Sequence, residues 1–172
     1  MGDEMRLGLH GQVRKRWCPK GHKLIQPIQM VYVWRYLILA IDGRAGRMYW
    51  RWIPNMKQDS VRETLEEWRA AGLQGVVWDN ASSHRAKSVR ATGMKLVSLP
   101  PYSPELNPAE RLFEEVRRVV EGRVYATIDD KIAAVESLLT ALAADPSRVR
   151  SLAGWGWIHQ SFADLPRLAH TA

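Results

Sequence analysis

Cysteine is nearly missing from this sequence. Cys18 stands alone among 172 residues, so no intrachain disulfide can form and a reducing compartment fits. Cys18 and His22 make half of a zinc-site spacing, but no second Cys/His pair follows at metal-ligand spacing. Long apolar runs are missing too. The longest, Tyr36 to Ile41, falls far short of the ~20 residues a helical span needs. No basic segment followed by a long apolar stretch opens the chain, so no secretory signal is visible. Repeats, low-complexity tracts and long linkers are also lacking. The expectation is a cytoplasmic protein with no membrane contact.

What is present suits a single domain with a real core. Hydrophobic residues make up 46% of the chain. Lys plus Arg number 25 against 18 Asp plus Glu, a formal net charge of +7. That excess suits a polyanionic partner, and it equally suits an ordinary basic protein.

The pattern of residues reads as strands first and helices later. Glu4 to Val13 alternates as a strand, Met5, Leu7 and Leu9 against Arg6, Gly8 and His10. Ile28 to Ile41 reads as a long strand, Asp42-Gly43 and Gly46 as a hairpin turn, and Arg47 to Ile53 as the partner strand. Ser60-Val61-Arg62-Glu63 has the spacing of a capping box, opening a helix to about Ala71 with Gly72 as its stop. Gly75 to Asp79 is a short strand ending in an acid, Ser83 to Ala91 looks helical, and Met94 to Leu99 is a strand closed by Pro100-Pro101. Asn107 caps a further helix with Pro108 first and Glu110 third, running to about Glu121 before Gly122. Thr127 to Asp130 opens another helix to about Ala144, and a shorter one follows Pro146. The fold class expected is α/β, with a mixed central sheet of about five strands flanked by helices. The eight tryptophans read mostly as core residues by alternation with charged neighbours.

Three acids stand where chemistry is plausible. Asp3 opens the first strand, Asp79 ends a later one at its carboxyl edge, and Glu110 lies in the first turn of a helix. Such carboxylates suit Mg²⁺, which combines a few protein oxygens with substrate phosphates and water. Two ions about 3.5–4 Å apart would activate a water and stabilise a leaving 3′ oxygen. Each acid also has a plainer reading: a solvated terminus for Asp3, an Asx turn for Asp79, the reciprocal arm of a capping box for Glu110.

The strings Trp78-Asp79-Asn80-Ala81-Ser82-Ser83-His84 and Leu99-Pro100-Pro101-Tyr102-Ser103-Pro104-Glu105-Leu106-Asn107-Pro108-Ala109-Glu110 resemble the bacterial insertion-sequence branch of the Tc/mariner transposases. Asp3 to Leu9 resembles the family's first catalytic segment, and Trp17-x-Pro19-x-Gly21 matches a weaker feature. The similarity runs from Asp3 to about Tyr125.

The resemblance implies an RNase H-like fold and a catalytic, metal-binding triad of Asp3, Asp79 and Glu110 with two Mg²⁺ or Mn²⁺ ions. It implies one catalytic domain over residues 1–172, with a core of about 3–125 and a helical part from about 126. The implied activity is cleavage of DNA element ends and strand transfer. Implied partners are double-stranded DNA, with TA targets, and a second copy in a dimeric complex. Many relatives separate the last two acids by about 34 residues. Here 30 residues, 80 to 109, intervene, and Glu114 would give the longer spacing. Glu110 is favoured because it holds the acid position of the N-P-x-E string.

Asn80 and His84 are expected either to orient water or phosphate at the metals or to make turn and cap contacts. Tyr102 and Ser103 lie on the loop into the third acid, where DNA would pass. Arg14, Lys15, Arg16 and Lys20, with Trp17 to stack on an unpaired base, form the expected phosphate-binding run, against a plainer solvated loop. Relatives carry helix-turn-helix modules ahead of the first acid, whereas this sequence begins two residues before Asp3. A partner encoded in an upstream frame, a trimmed piece and a remnant remain open. Two rival functions stay open as well: a non-catalytic regulator that binds DNA or a full-length transposase, and an RNase H-like nuclease that cuts without joining. A bacterial, nucleoid-associated location goes with the main reading.

Overall fold

Alternation along the first strand decides how the fold is layered. In the computed structural model, which describes residues 1–164 apart from Gln12, Arg14 and Tyr102, β1 spans Gly2–Gly8. Asp3, Met5 and Leu7 share one face of β1, and Gly2, Glu4 and Arg6 share the other. β1 pairs antiparallel with β2 (Trp34–Asp42), Asp3 opposite Leu39. β2 pairs antiparallel with β3 (Arg47–Ile53) across the expected turn. Glycine is required in that turn, because Gly46 has φ 72° and a Cβ there would lie 2.3 Å from the Pro146 carbonyl oxygen.

The antiparallel sheet has a helical core on each face. Leu37, Leu39 and Ile41 of β2 face one side, together with Leu7. They pack on Ala109, Leu112, Phe113 and Val116 of α3 (Ala109–Val120), Val135, Leu139 and Leu142 of α4 (Ile128–Ala143), and Val149 and Ala153 of α5 (Pro146–Ala153). Ile38 and Ala40 face the other side. There they meet Val61, Leu65 and Trp68 of α1 (Gln58–Ala70), Val76 and Trp78 of β4 (Gly75–Trp78), and Val89 of α2 (Lys87–Arg90). β4 pairs in parallel with β5 (Lys95–Ser98). A last helix, α6, spans Gly156–Asp164. None of these helices is long and apolar enough to cross a membrane.

The α/β class and the five strands agree with the sequence reading, but the sheet is divided. Among the described residues the ladders are β1-β2-β3 and β4-β5. β1 meets β4 edge-on, the Gly2 backbone against the Val76 side chain, where a Cβ on Gly2 would lie 2.7 Å from Val76 Cγ1. Four local expectations need correction. The first strand spans Gly2–Gly8 and not Glu4 to Val13. The long second strand begins at Trp34 and not Ile28, since Ile28 and Tyr32 lie exposed and have no ladder partner among the described residues. The Ser60 capping box does not form. Helix α1 starts earlier with Lys57 at its cap and no side-chain cap bond, while Ser60 Oγ turns to Asn55 Oδ1 at 3.3 Å. The single helix expected over Ser83 to Ala91 is a 3₁₀ turn (Ser82–Arg85) followed by the one-turn α2.

The tryptophans are less buried than expected. Trp68 and Trp78 are core residues, whereas Trp17 is fully exposed and Trp157 is 40% exposed. Trp50 and Trp52 are half-buried and share a polar anchor: both indole nitrogens donate to the Glu136 carboxylate of α4, at 2.8–3.1 Å.

Candidate active site

Asp3, Asp79 and Glu110 reach one cleft from three directions. Asp3 comes from β1, Asp79 from the residue after β4, and Glu110 from the first turn of α3. All three line a cleft of about 460 Å³, together with Asn80, Ala81, Ser103 and Asn107. Glu114, one turn further along α3, does not line it.

Asn107 ties the two sides of the cleft together. It is buried, and its amide nitrogen donates to Asp3 Oδ2 and to the Gly2 carbonyl, both at 3.0 Å. Its side-chain oxygen accepts from the Ala109 backbone at 3.1 Å, as expected of a cap, although the helix proper starts one residue later than the sequence suggests. Glu110 is therefore free of reciprocal capping. It lies 3.6 Å from Arg117, which also holds Glu114 at 3.0 Å.

Burial and crowding of like charge act on Asp3. Desolvation pushes its carboxyl up to about 7, against the Glu4 backbone N–H that donates to Oδ1 at 2.8 Å. The negative charges of Glu4, Glu110 and Asp79 push the same way as burial. A cation in the cleft would reverse that cost, and an all-oxygen donor set is what Mg²⁺ and Mn²⁺ prefer. The residues therefore fit such an ion.

Asp79 does make the Asx turn, its Oδ1 accepting from the Ala81 backbone at 3.0 Å. The same oxygen lies 3.0 Å from His84 Nδ1. His84 is buried, stacked on Trp78 with ring centroids 3.8 Å apart, and its Nε2 lies 2.7 Å from Glu4 Oε1. Burial alone would lower the imidazole pKa, but the hydrogen bond and charge of Glu4, aided by Asp79, raise it overall.

Among the described residues, the trio with ligand atoms within 4.8 Å of one another is Glu4, Asp79 and His84, not the acidic triad. The two carboxylates sit on opposite nitrogens of one ring, with the Asp79 carbonyl also 3.3 Å from Nδ1.

Asn80 lines the cleft, and its amide donates to the Leu99 carbonyl at 2.8 Å, closing the ends of β4 and β5. Ser103 lines the cleft, and Tyr102 lies outside the described residues. The basic run is elsewhere. Lys15, Arg16, Trp17 and Lys20 are exposed and do not line the cleft, and Arg14 lies outside the described residues. Arg16 donates to the Glu121 carbonyl at 3.4 Å, beyond the far end of α3 from Glu110. Cys18 donates to the His22 carbonyl at 3.4 Å.

Three contributors escaped the sequence reading: Glu4, Asn107 as an anchor of Asp3, and Arg117. The alternation of β1 was the available signal for Glu4, since it turns away from Asp3 toward the opposite layer.

The model of the DDE superfamily endonuclease family matches residues 1–131. An uncharacterized protein, y4pE/y4sA of Sinorhizobium fredii (strain NBRC 101917 / NGR234), is 25% identical over 135 residues, 75% of this chain and all of that protein. The transposase of the transposable element Tcb1 from Caenorhabditis briggsae is 32% identical over 88 residues, 46% of this chain and 32% of that one. Among solved structures, the Mos1 Strand Transfer Complex superposes with a TM-score of 0.65 at 18% identity, over 89% of this chain and 49% of that one. The mariner Mos1 paired-end complex with Mg gives 0.59 at 19%, over 89% and 50%. The chain thus spans about half of the Mos1 chain and a third of the Tcb1 transposase. Its fold is that of the Mos1 catalytic part, RNase H-like. With Tc/mariner-type transposases among its relatives, the chain belongs to the DDE superfamily of endonucleases.

Proposed function

We propose that this chain is the catalytic domain of a DDE transposase, with Asp3, Asp79 and Glu110 as ligands of two Mg²⁺ or Mn²⁺ ions. The observation that carries the reading is the meeting of these three carboxylates in one cleft. Solved Mos1 complexes with Mg, with Mn and with a transposon end support it by likeness of fold. When bound, the ions would activate the attacking water and stabilise the departing 3′ oxygen.

The protein's own residues provide placement and electrostatics. Asn107 fixes Asp3 against the start of α3, and Arg117 steadies Glu110 from the next turns. Glu110 stands in the first turn of α3, where the helix N-terminus carries partial positive charge. The basic balance of the chain and the exposed Lys15, Arg16, Trp17 and Lys20 fit a DNA backbone as substrate. The reaction is hydrolysis at element ends, then attack of the freed 3′-hydroxyl on target DNA. Target choice at TA, a dimeric complex and an upstream DNA-binding partner go with this reading.

The test is incubation of the chain with DNA ends in Mg²⁺, scored for cutting and for joined product. Metal-dependent cutting and joining that Glu110→Gln abolishes is the expected result. Cutting without joining would point to a nuclease, and binding without cutting to a regulator.

A further inference from the structure

We propose that Glu4 and His84 form a positioning pair that fixes the carboxylate of Asp79 for metal binding, an inference that rests on the proposed metal site. The pair is assembled from both layers. Glu4 sits next to Asp3 on β1 but on the opposite face, so one strand supplies an acid to the cleft and a support behind it. His84 comes from the 3₁₀ turn after Asp79. Its ring lies flat on Trp78, 8° from parallel, and Trp78 is itself locked in the core beside Val76 and Leu65.

Asp79 needs such support. Its side chain is 59% exposed, and apart from the His84 ring the Ala81 N–H is its one hold among the described residues, whereas the His84 and Glu4 side chains are 2% and 11% exposed. The His84 ring holds it twice, Nδ1 lying 3.0 Å from Oδ1 and 3.3 Å from the Asp79 carbonyl. The Ala81 N–H also lands on Oδ1. Neither side-chain contact uses Oδ2, so that oxygen is the one turned over to a ligand in the cleft. The two ring nitrogens face acceptors on opposite sides, the Asp79 oxygens at Nδ1 and Glu4 Oε1 at Nε2. Partners that orient a metal ligand in this way typically change metal affinity by about 10–100-fold when removed.

The test is calorimetric titration of the chain with Mn²⁺, with metal-free melting measured alongside. His84→Ala removes the bridge. A double variant, Glu4→Leu with His84→Phe, removes it while keeping a ring on Trp78 and leaving no buried carboxylate unpaired. Both are expected to bind Mn²⁺ about tenfold more weakly, with the double variant melting within a few degrees of the wild type. A merely structural pair would lower melting and leave Mn²⁺ affinity alone. If the folded double variant binds Mn²⁺ as the wild type does, while Asp79→Asn has lost binding, the positioning role is overturned and the metal site stands. If Asp79→Asn binds as tightly as the wild type, the metal-site reading falls and this inference with it.

Discussion

The side-chain amide of Asn107 donates to Asp3 Oδ2 across 104 residues of sequence, at 3.0 Å. One buried group thereby joins the start of β1 to the helix that carries Glu110, and it uses its whole hydrogen-bonding capacity on one side to do so. Asn107→Ala should destabilise the chain by about 1–3 kcal/mol, because it strands the buried Gly2 carbonyl and takes one donor from the half-buried Asp3 carboxyl. Urea midpoints measure this. An unchanged midpoint would show that the anchor is dispensable.

Stability without metal should fall as pH rises. The folded Asp3 carboxyl titrates near 7 against an ordinary 3.8, so the folded chain keeps a proton that the unfolded chain has released. That contribution is fully present below about pH 4 and is lost through pH 7. His84, also raised, acts in the same direction above its ordinary range. In chelator, melting temperature should therefore drop between pH 5 and pH 8, and Asp3→Asn should flatten the drop. Mn²⁺ binding runs the other way, strengthening with pH until Asp3 is ionised, since the ion must displace that proton. A melting profile equally steep in wild type and Asp3→Asn would contradict the assignment.

Millimolar Mn²⁺ should raise the melting temperature of the wild type by linkage. The rise should vanish in Asp79→Asn and Glu110→Gln and persist in Glu114→Gln. Glu110 lines the cleft and Glu114 does not. One turn of helix moves a carboxylate about 5.4 Å, more than a metal–oxygen bond absorbs. The reverse ranking of the two glutamates would hand the third position to Glu114.

Glu136 offers a control far from the cleft. Its carboxylate accepts from the indoles of Trp50 and Trp52 and fastens α4 to β3. Glu136→Ala should cost about 2–3 kcal/mol of stability by urea unfolding and leave the Mn²⁺-induced shift intact. Loss of that shift in a folded Glu136→Ala protein would mean that the layer under β3 governs the site.

What could be read from the sequence was what is local. Thr127 and Asp130 form the full reciprocal capping box, and Gly72 and Gly122 end their helices with φ of 94° and 72°. The Asn-Pro-Ala-Glu string did put Glu110 in a first turn. Residues Ile28 to Val33 carry the composition of a strand, yet among the described residues only isolated backbone bonds reach them, such as Leu9 N–H to the Val33 carbonyl at 3.0 Å. Composition records a preference, and pairing decides whether it is used. Ser60 illustrates the same limit, since Asn55 competes for its hydroxyl. The Glu4–His84 contact spans 80 residues and depends on how two layers meet, which no short window of sequence encodes.

The two cores on either face of β1-β2-β3 give the cleft an unusual dependence. Asp79 is carried by the layer of α1, β4 and β5, Glu110 by the layer of α3, α4 and α5, and Asp3 by the strand between them. A chain in which only one layer has docked holds at most two of the three acids together. On the proposed reading, a copy with one layer melted would hold no complete metal site. On that reading, metal-dependent cutting would arrive last, with the final closure of the fold.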